Sequence, residues 1–530
     1  MSLRFAAMQR YADLVVHDGN LITLDRAQPR VTGMAVRSGR IEFVGDDREA
    51  LTFAGPGTQR VDLRGAAVTP GFCDAHVHFI SYGLHLLKQV DLVGCRSVDE
   101  VLERLSELAS RSRGWIQGHG FDQDKLTEKR FPTRRELDRV SADRPIIITR
   151  ICAHAAVVNS AALALVTEAQ RSAGDAENGL YTEGDIDAFY QQMPADSEED
   201  LERAVLAAGK VAIQSGITSV HTLLDAPGQA VGLSRLHQAG KLPVRVTAMP
   251  HWSEVASLHR HGIRTGIGDD WLRFGAAKFF SDGSLGAHTA LLADPYSDKP
   301  ATRGIRIYDS ADLKRHCADV AAKGFQIAIH AIGDQAMRET LDALEFALDG
   351  QDNRQIRHRI EHCSLTPPDC LQRMAAKKIV GILQPQFVRS DSWTPKRIGP
   401  KRVPWAYPFR SMLNRGIPIA LSSDCPVERM DAFACLAAAV GRDEWTMEEA
   451  LTVEQALEAY CLGGAYAAHA EDRLGSLQVG KLADFVVLSA DPTKLDAAGL
   501  AKLRVEQVYI GGQKREVNHE GAKGTKKRFG

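Results

Sequence analysis

Between about residues 12 and 70 apolar and polar positions alternate over short runs, DLVVHDGNLITLD, MAVRSGRIEFVGD and QRVDLRGAAVTPG, each broken by Gly, Asn or Asp. Period-two patterning with such punctuation predicts an all-β opening. The same texture returns only after residue 470, in GSLQVGKLADFVVLSAD and VEQVYIGGQKRE. Strands from distant parts of a chain can share a sheet, so residues 1–68 and 470–520 are expected to form one small β-domain that the middle of the chain interrupts.

Residues 69–469 have a different rhythm, in which short apolar runs alternate with amphipathic helical stretches. Eight such runs occur: AAVTPGFCDAHVHF, GITSVHTL, LPVRVTAM, RFGAAKFF, FQIAIHA, RHRIEHC, KIVGILQPQ and IPIALSSD. Helical segments such as SADLKRHCADVAAKG and TPPDCLQRMAAKK lie between most of them. The pattern predicts an α/β chain folded as a (β/α)8 TIM-like barrel. Residues 81–200 are too many for one crossover and carry helices and a strand, PIIITRICAH, so they read as an insertion after the first barrel strand.

Composition narrows the class. The chain has 530 residues, 44% hydrophobic and 25% charged, which excludes disordered, collagen-like and coiled-coil classes. A formal charge of −2 supplies no field for nucleic acid or an anionic membrane. No window reaches the roughly 18 apolar residues of a membrane span, and the first residues lack a signal-peptide core. Nine cysteines, odd in number and without a C-x-x-C pair, argue against a disulfide framework or a zinc ribbon and point to a reducing, cytoplasmic compartment. The basic tail, residues 521–530, reads as a solvated, disordered terminus.

Catalytic groups of such barrels sit at the C-terminal ends of strands. There the first strand carries His76 and His78, two apart and so on one side. The fourth carries Lys278, the fifth His330, the sixth His362 and the eighth Asp424. Singly, each has an ordinary explanation as a paired or turn residue. Jointly, four histidines, a lysine and an aspartate at one end of five strands form a nitrogen and oxygen donor set suited to zinc or a similar first-row ion.

The ordered string TPGFCDAHVHF, GWIQGHGFDQ, AHAAVVNSAAL, KFFSDGSLGAHTALL, AIHAIGD, HRIEHCSL, ILQPQF, SSDCPVE and GSLQVGKLADFVVL resembles the amidohydrolase superfamily, most closely the branch of N-substituted formamide deformylases. The resemblance covers nearly the whole chain. It implies a β-sandwich built from both ends and two divalent metal ions in the barrel mouth. By that likeness one ion is held by His76, His78 and Asp424 and the other by His330 and His362. Lys278 would react with carbon dioxide to give a bridging carbamate, which is anionic where an ammonium would repel the cations. The implied reaction is hydrolysis of a non-peptide C–N bond, an amide or N-substituted formamide, by metal-bound hydroxide, with Asp424 moving the proton.

Polar residues on rim segments are candidates to hold a small amide-like substrate: His119, His154, Asn159, His221 and Gln384. His288 stands where the family pattern commonly has arginine, which implies either a different substrate or a silent exchange. Trp393 and Trp405, among prolines and basic residues after the seventh strand, read as a lid or pocket wall. Two other functions stay open at this level: a mononuclear deaminase or cyclic-amide hydrolase with Lys278 unmodified, and a non-catalytic barrel scaffold. The exposed helices leave room for a homodimer.

Overall fold

The structure is a computed structural model that describes residues 11–517 apart from 112, 151–154, 227 and 443. His154 and the basic tail therefore lie outside the described residues. Two compact units are present, one made of the chain up to Phe79 and from Gly209 onward, the other running from Ile80 to Ala208. The sequence placed the second segment at 81–200, but helix Glu198–Gln214 runs past that boundary.

In the first unit eight parallel strands make the barrel: β1 (Phe72–Val77), β2 (Ile217–Leu223), β3 (Arg245–Met249), β4 (Ala277–Phe280), β5 (Ile327–Ala331), β6 (Arg359–His362), β7 (Val380–Leu383) and β8 (Ile419–Leu421). Ladders join β1 to β2 to β3, and β4 through β8 in order. The two arcs close through backbone hydrogen bonds at their ends. Lys278 N–H donates to Pro250 O at 2.8 Å, and Asp424 N–H donates to His76 O at 2.9 Å. The run RFGAAKFF divides at Gly275: Leu272–Phe274 pairs with β3, whereas Ala277–Phe280 pairs with β5. Both helices singled out in the sequence are present, as Ser310–Ala322, capped by the Asp309 carboxylate, and Pro368–Lys377, which opens on proline.

The ends of the chain supply two further sheets. One has four strands drawn from residues 14–62, and the other has six drawn from both ends, with Phe485–Leu488 between Ala67–Pro70 and Val505–Ile510. Leu14, Val16, Met34 and Val36 of the first sheet share one apolar cluster with Leu21, Val68, Phe485 and Val487 of the second. Removal of that apolar surface from water holds the layers together.

The second unit has its own five-stranded sheet, ordered Leu180–Thr182, Ala155–Val158, Ile146–Arg150, Ile116–Phe121 and Gln89–Asp91. Its core gathers Leu105 and Leu108 of helix Val98–Arg111 against Ile116, Ile146 and Ile148. Among the described residues, no helix is long and apolar enough to cross a membrane.

Candidate metal centre

Four of the six predicted ligands converge on one carboxylate or its neighbour. His76 Nε2 and His78 Nε2 lie 3.3 and 3.4 Å from Asp424 Oδ1, and His362 Nδ1 lies 3.8 Å from Oδ2. The His330 ring centroid is 4.4 Å from that of His362. Lys278 and His330 sit on paired strands, Lys278 opposite Ala328 and Phe280 opposite His330. The Lys278 ammonium nitrogen stands 4.8 Å from the Phe280 ring centre.

Alternation along β6 explains part of this and fails at one point. Arg359 and Glu361 share the face toward β1, so regular alternation would turn His362 the other way. His362 instead has φ +76°, in the left-handed region, which re-aims its ring toward His76 and His330. Asp424, at φ +58°, is turned in the same manner at the end of β8. Backbone strain in non-glycine residues gathers where function requires a particular direction.

Three of the four histidines are fixed from behind, while His330 bonds Gly283 O through Nε2 at 3.0 Å. His76 Nδ1 donates to Glu361 Oε2, His78 Nδ1 to Asp225 Oδ1 at 2.7 Å, and His362 Nδ1 to Gln384 Oε1 at 2.9 Å. A proton held at Nδ1 leaves Nε2 as the electron-pair donor. Asp74 acts similarly on Asp424, two residues from His76, by accepting from Ser423 N–H at 3.0 Å and from Ser423 Oγ.

Charge in the site is unbalanced. Lys278 is 2% exposed, and among the described residues neither its Nζ nor Asp424 Oδ1 has a hydrogen-bond partner. Burial pushes the Lys278 ammonium down to about 8, against the pull of Glu361 and Asp424. Burial opposes the charge on Asp424, but the nearby imidazoles hold it well below the usual carboxylate range. His78 moves up to about 10, because Asp225 and Asp424 outweigh its burial. Burial, with Lys278 next in effect, takes His330 down to about 3. The neutral imidazoles of His330 and His362, an ionised carboxylate and a buried amine make a donor set that fits first-row divalent ions. His76, His362 and Asp424 alone bring one donor atom each within 4.8 Å of one another.

The substrate candidates are placed differently from the predicted ligands. His221 is 2% exposed, with Nδ1 accepting from Arg359 Nη1 at 3.0 Å and Nε2 3.5 Å from Cys73 Sγ, so both ring nitrogens are engaged inside the barrel. Asn159 caps the helix Ser160–Leu163. Its carbonyl accepts from Ile146 and Ala162 N–H and its amide donates to Ser141 and Arg144 carbonyls, which accounts for its full hydrogen-bonding capacity. Gln384 spends one end of its amide on His362 and the other on Ser422 Oγ at 2.8 Å, which orients the His362 ring. His288 pairs with Asp298 at 3.1 Å and packs on Tyr296, within the loop after β4. His119 is in the second unit, 3.0 Å from Thr149 Oγ1.

That loop is itself anchored. Asp282 accepts from the backbone N–H groups of Leu291, Ile332 and Gly333, at 2.9, 3.1 and 2.8 Å. A side chain at Gly333 would meet Leu291 O at 2.0 Å, so only glycine lets the two backbones approach. Arg397, stacked on Trp393 at 3.9 Å, donates to Leu285 and Gly286 carbonyls, which ties the segment after β7 to the same loop.

Sequence reasoning missed Asp225, Glu361, Arg359 and Asp74. Three of them lie inside strands, where a charged residue among apolar ones reads as an ordinary strand position until the strands are assembled. Asp225, in a D-A-P-G stretch, reads as a turn.

Comparison with known proteins decides the class. The amidohydrolase family profile matches residues 59–514. The chain belongs to the amidohydrolase family. It is 31% identical to the Bacillus subtilis (strain 168) protein YtcJ, an amidohydrolase by name, over 94% of this chain and 98% of that one. It is 28% identical to the N-substituted formamide deformylase of Arthrobacter pascens, over 95% and 98%. Among solved structures, an uncharacterised metal-dependent hydrolase of Pyrococcus horikoshii OT3 superposes with a TM-score of 0.81 at 31% identity, covering 92% of this chain and 99% of that one. The chain is accordingly an enzyme, a hydrolase of carbon–nitrogen bonds other than peptide bonds.

Proposed function

We propose that this enzyme hydrolyses a small N-substituted formamide or related amide with two divalent metal ions, zinc being one that suits the donors. His76, His78 and Asp424 would hold one ion and His330 and His362 the other, and a carboxylated Lys278 would add an anionic donor to the set. The observation that carries the reading is the gathering of His76, His78 and His362 around Asp424 beside a buried lysine whose Nζ has no hydrogen-bond partner among the described residues. The carbamate accounts for that lysine, since carboxylation exchanges an isolated buried cation for an anion among cation-binding groups. The likeness to the Arthrobacter formamide deformylase supports the substrate class.

Bound divalent ions of this kind polarise a carbonyl and make water acidic near neutral pH. The protein's share of the chemistry is proton movement and orientation. Asp424 Oδ1, within 3.4 Å of two imidazoles yet without a hydrogen bond, is free to take a proton from water and return it to the departing nitrogen. Amide cleavage needs that return, because an amide anion is a very poor leaving group. Glu361, Asp225 and Gln384 hold the three imidazoles in one tautomer throughout. Phe280 and Phe387 present apolar faces beside His330 and His362, which suits a neutral amide.

The two terminal sheets form, in this reading, a β-sandwich module of residues 1–68 and 470–520 beside a barrel of residues 69–469. The test of function is a screen of formamides and amides before and after chelation. Hydrolysis should vanish with the metal and return with added divalent ion. Unchanged turnover after verified metal loss would contradict the proposal.

A further inference from the structure

The barrel interior holds a buried polar chain of which only the Glu361–His76 bond enters the reaction described above. Arg359 and Glu361, 1% and 0% exposed, are two residues apart on β6 and point inward. Arg359 grips Glu361 with two bonds, Nε to Oε1 at 2.6 Å and Nη2 to Oε2 at 2.8 Å. The guanidinium is held in turn by Ala75 O at 2.6 Å and by His221 Nδ1 at 3.0 Å. Glu361 Oε2 then accepts from His76 Nδ1.

A barrel interior is ordinarily filled by branched apolar side chains. An ion pair there contributes little net stability compared with an apolar pair of the same volume. What it supplies is direction. A planar guanidinium bonded to both oxygens of a carboxylate fixes the plane of that carboxylate, which a single point charge does not. The plane of Glu361 sets the direction of its bond to His76 Nδ1, and so the direction in which His76 Nε2 faces Asp424.

We propose that Arg359 is a positioning residue that acts through Glu361 to aim His76 Nε2 into the metal centre, with His221 and Ala75 as its own anchors. The inference rests on the metal-centre reading above. Outer-shell partners of this kind typically change metal affinity by about 10–100-fold.

The experiment measures the affinity of the full-length chain for Zn²⁺ by competition with a chromogenic chelator, alongside thermal denaturation of the metal-free protein. Arg359→Met and Glu361→Gln should each weaken Zn²⁺ binding by about 10–100-fold. The double variant should be no weaker than the weaker single, because both act along one path. A role confined to stability predicts lower melting temperatures with wild-type affinity, and that result overturns the proposal. So does a double variant whose losses add. Should Arg359→Met fail to fold, Arg359→Lys keeps the charge but cannot span both oxygens, and an intermediate loss is expected. Zn²⁺ uptake by the wild type with unchanged affinity in Arg359→Lys overturns this inference alone. A wild type that takes up no Zn²⁺ overturns the reading of the site and this inference with it.

Discussion

His78 Nδ1 donates to Asp225 Oδ1 at 2.7 Å, joining the end of the first barrel strand to the loop after the second. This bond fixes the ring so that Nε2 points at Asp424. Removal of the carboxylate leaves the ring free to rotate and to exchange tautomers. Asp225→Ala is expected to bind divalent metal about 10–100-fold more weakly while remaining folded, read by chelator competition. Unchanged affinity would remove Asp225 from the account.

Asp424 is assigned both a ligand role and the proton transfer. Asp424→Asn keeps the shape and an oxygen donor but loses the base. Turnover should fall by about 100-fold or more, since positioned general bases contribute at that level. Steady-state kinetics at saturating metal checks this, and a loss confined to KM would contradict it.

Lys278 reacts with carbon dioxide only as the neutral amine. With its ammonium pushed down to about 8, the neutral fraction in the metal-free chain rises as pH climbs through that value and falls below it. Carbamate formation, followed by NMR with isotope-labelled bicarbonate, should therefore increase from pH 7 to pH 9. A signal that is absent throughout, or is retained in Lys278→Met, would contradict the bridging role.

Asp391 gives a prediction away from the ligands. Burial raises it from 3.8 to about 6, and Tyr407 donates to its Oδ2 at 2.6 Å. A carboxyl whose folded value is raised binds its proton more tightly when folded, so its contribution to stability falls as pH rises from about 4 to about 6. Asp391→Asn keeps an acceptor for Tyr407 and removes the buried charge. It should raise the melting temperature at pH 8 and lose that advantage progressively between pH 6 and pH 4. An equal gain at both ends would show that the charge is not the cause.

The barrel was legible because parallel strands buried on both faces read as continuous apolar runs, and all eight runs singled out contain a barrel strand. Splitting of the fourth at Gly275 was not legible, since RFGAAKFF has no polar interruption there. In the second unit the sequence marked only Ile146–Arg150 of five strands. Leu180–Thr182 and Gln89–Asp91 are three residues each, too short for alternation to register. The candidate ligands stood out because four histidines, a lysine and an aspartate gather at one end of five strands, although each alone has an ordinary explanation. Their supporting groups did not, because Glu361 and Arg359 read as ordinary strand residues until the barrel closes and brings Ala75, His76 and His221 against them. Asn159 failed in the opposite way. It looked like a rim residue, whereas an asparagine directly before S-A-A-L is the mark of a helix cap.

The central claim is a pair of divalent ions held by His76, His78, His330, His362 and Asp424 around a carboxylated Lys278. Elemental mass spectrometry on protein prepared without a metal-binding tag and with bicarbonate present tests it most directly. The account predicts about two ions per chain. One ion per chain with an unmodified Lys278, or none after reconstitution, would contradict it.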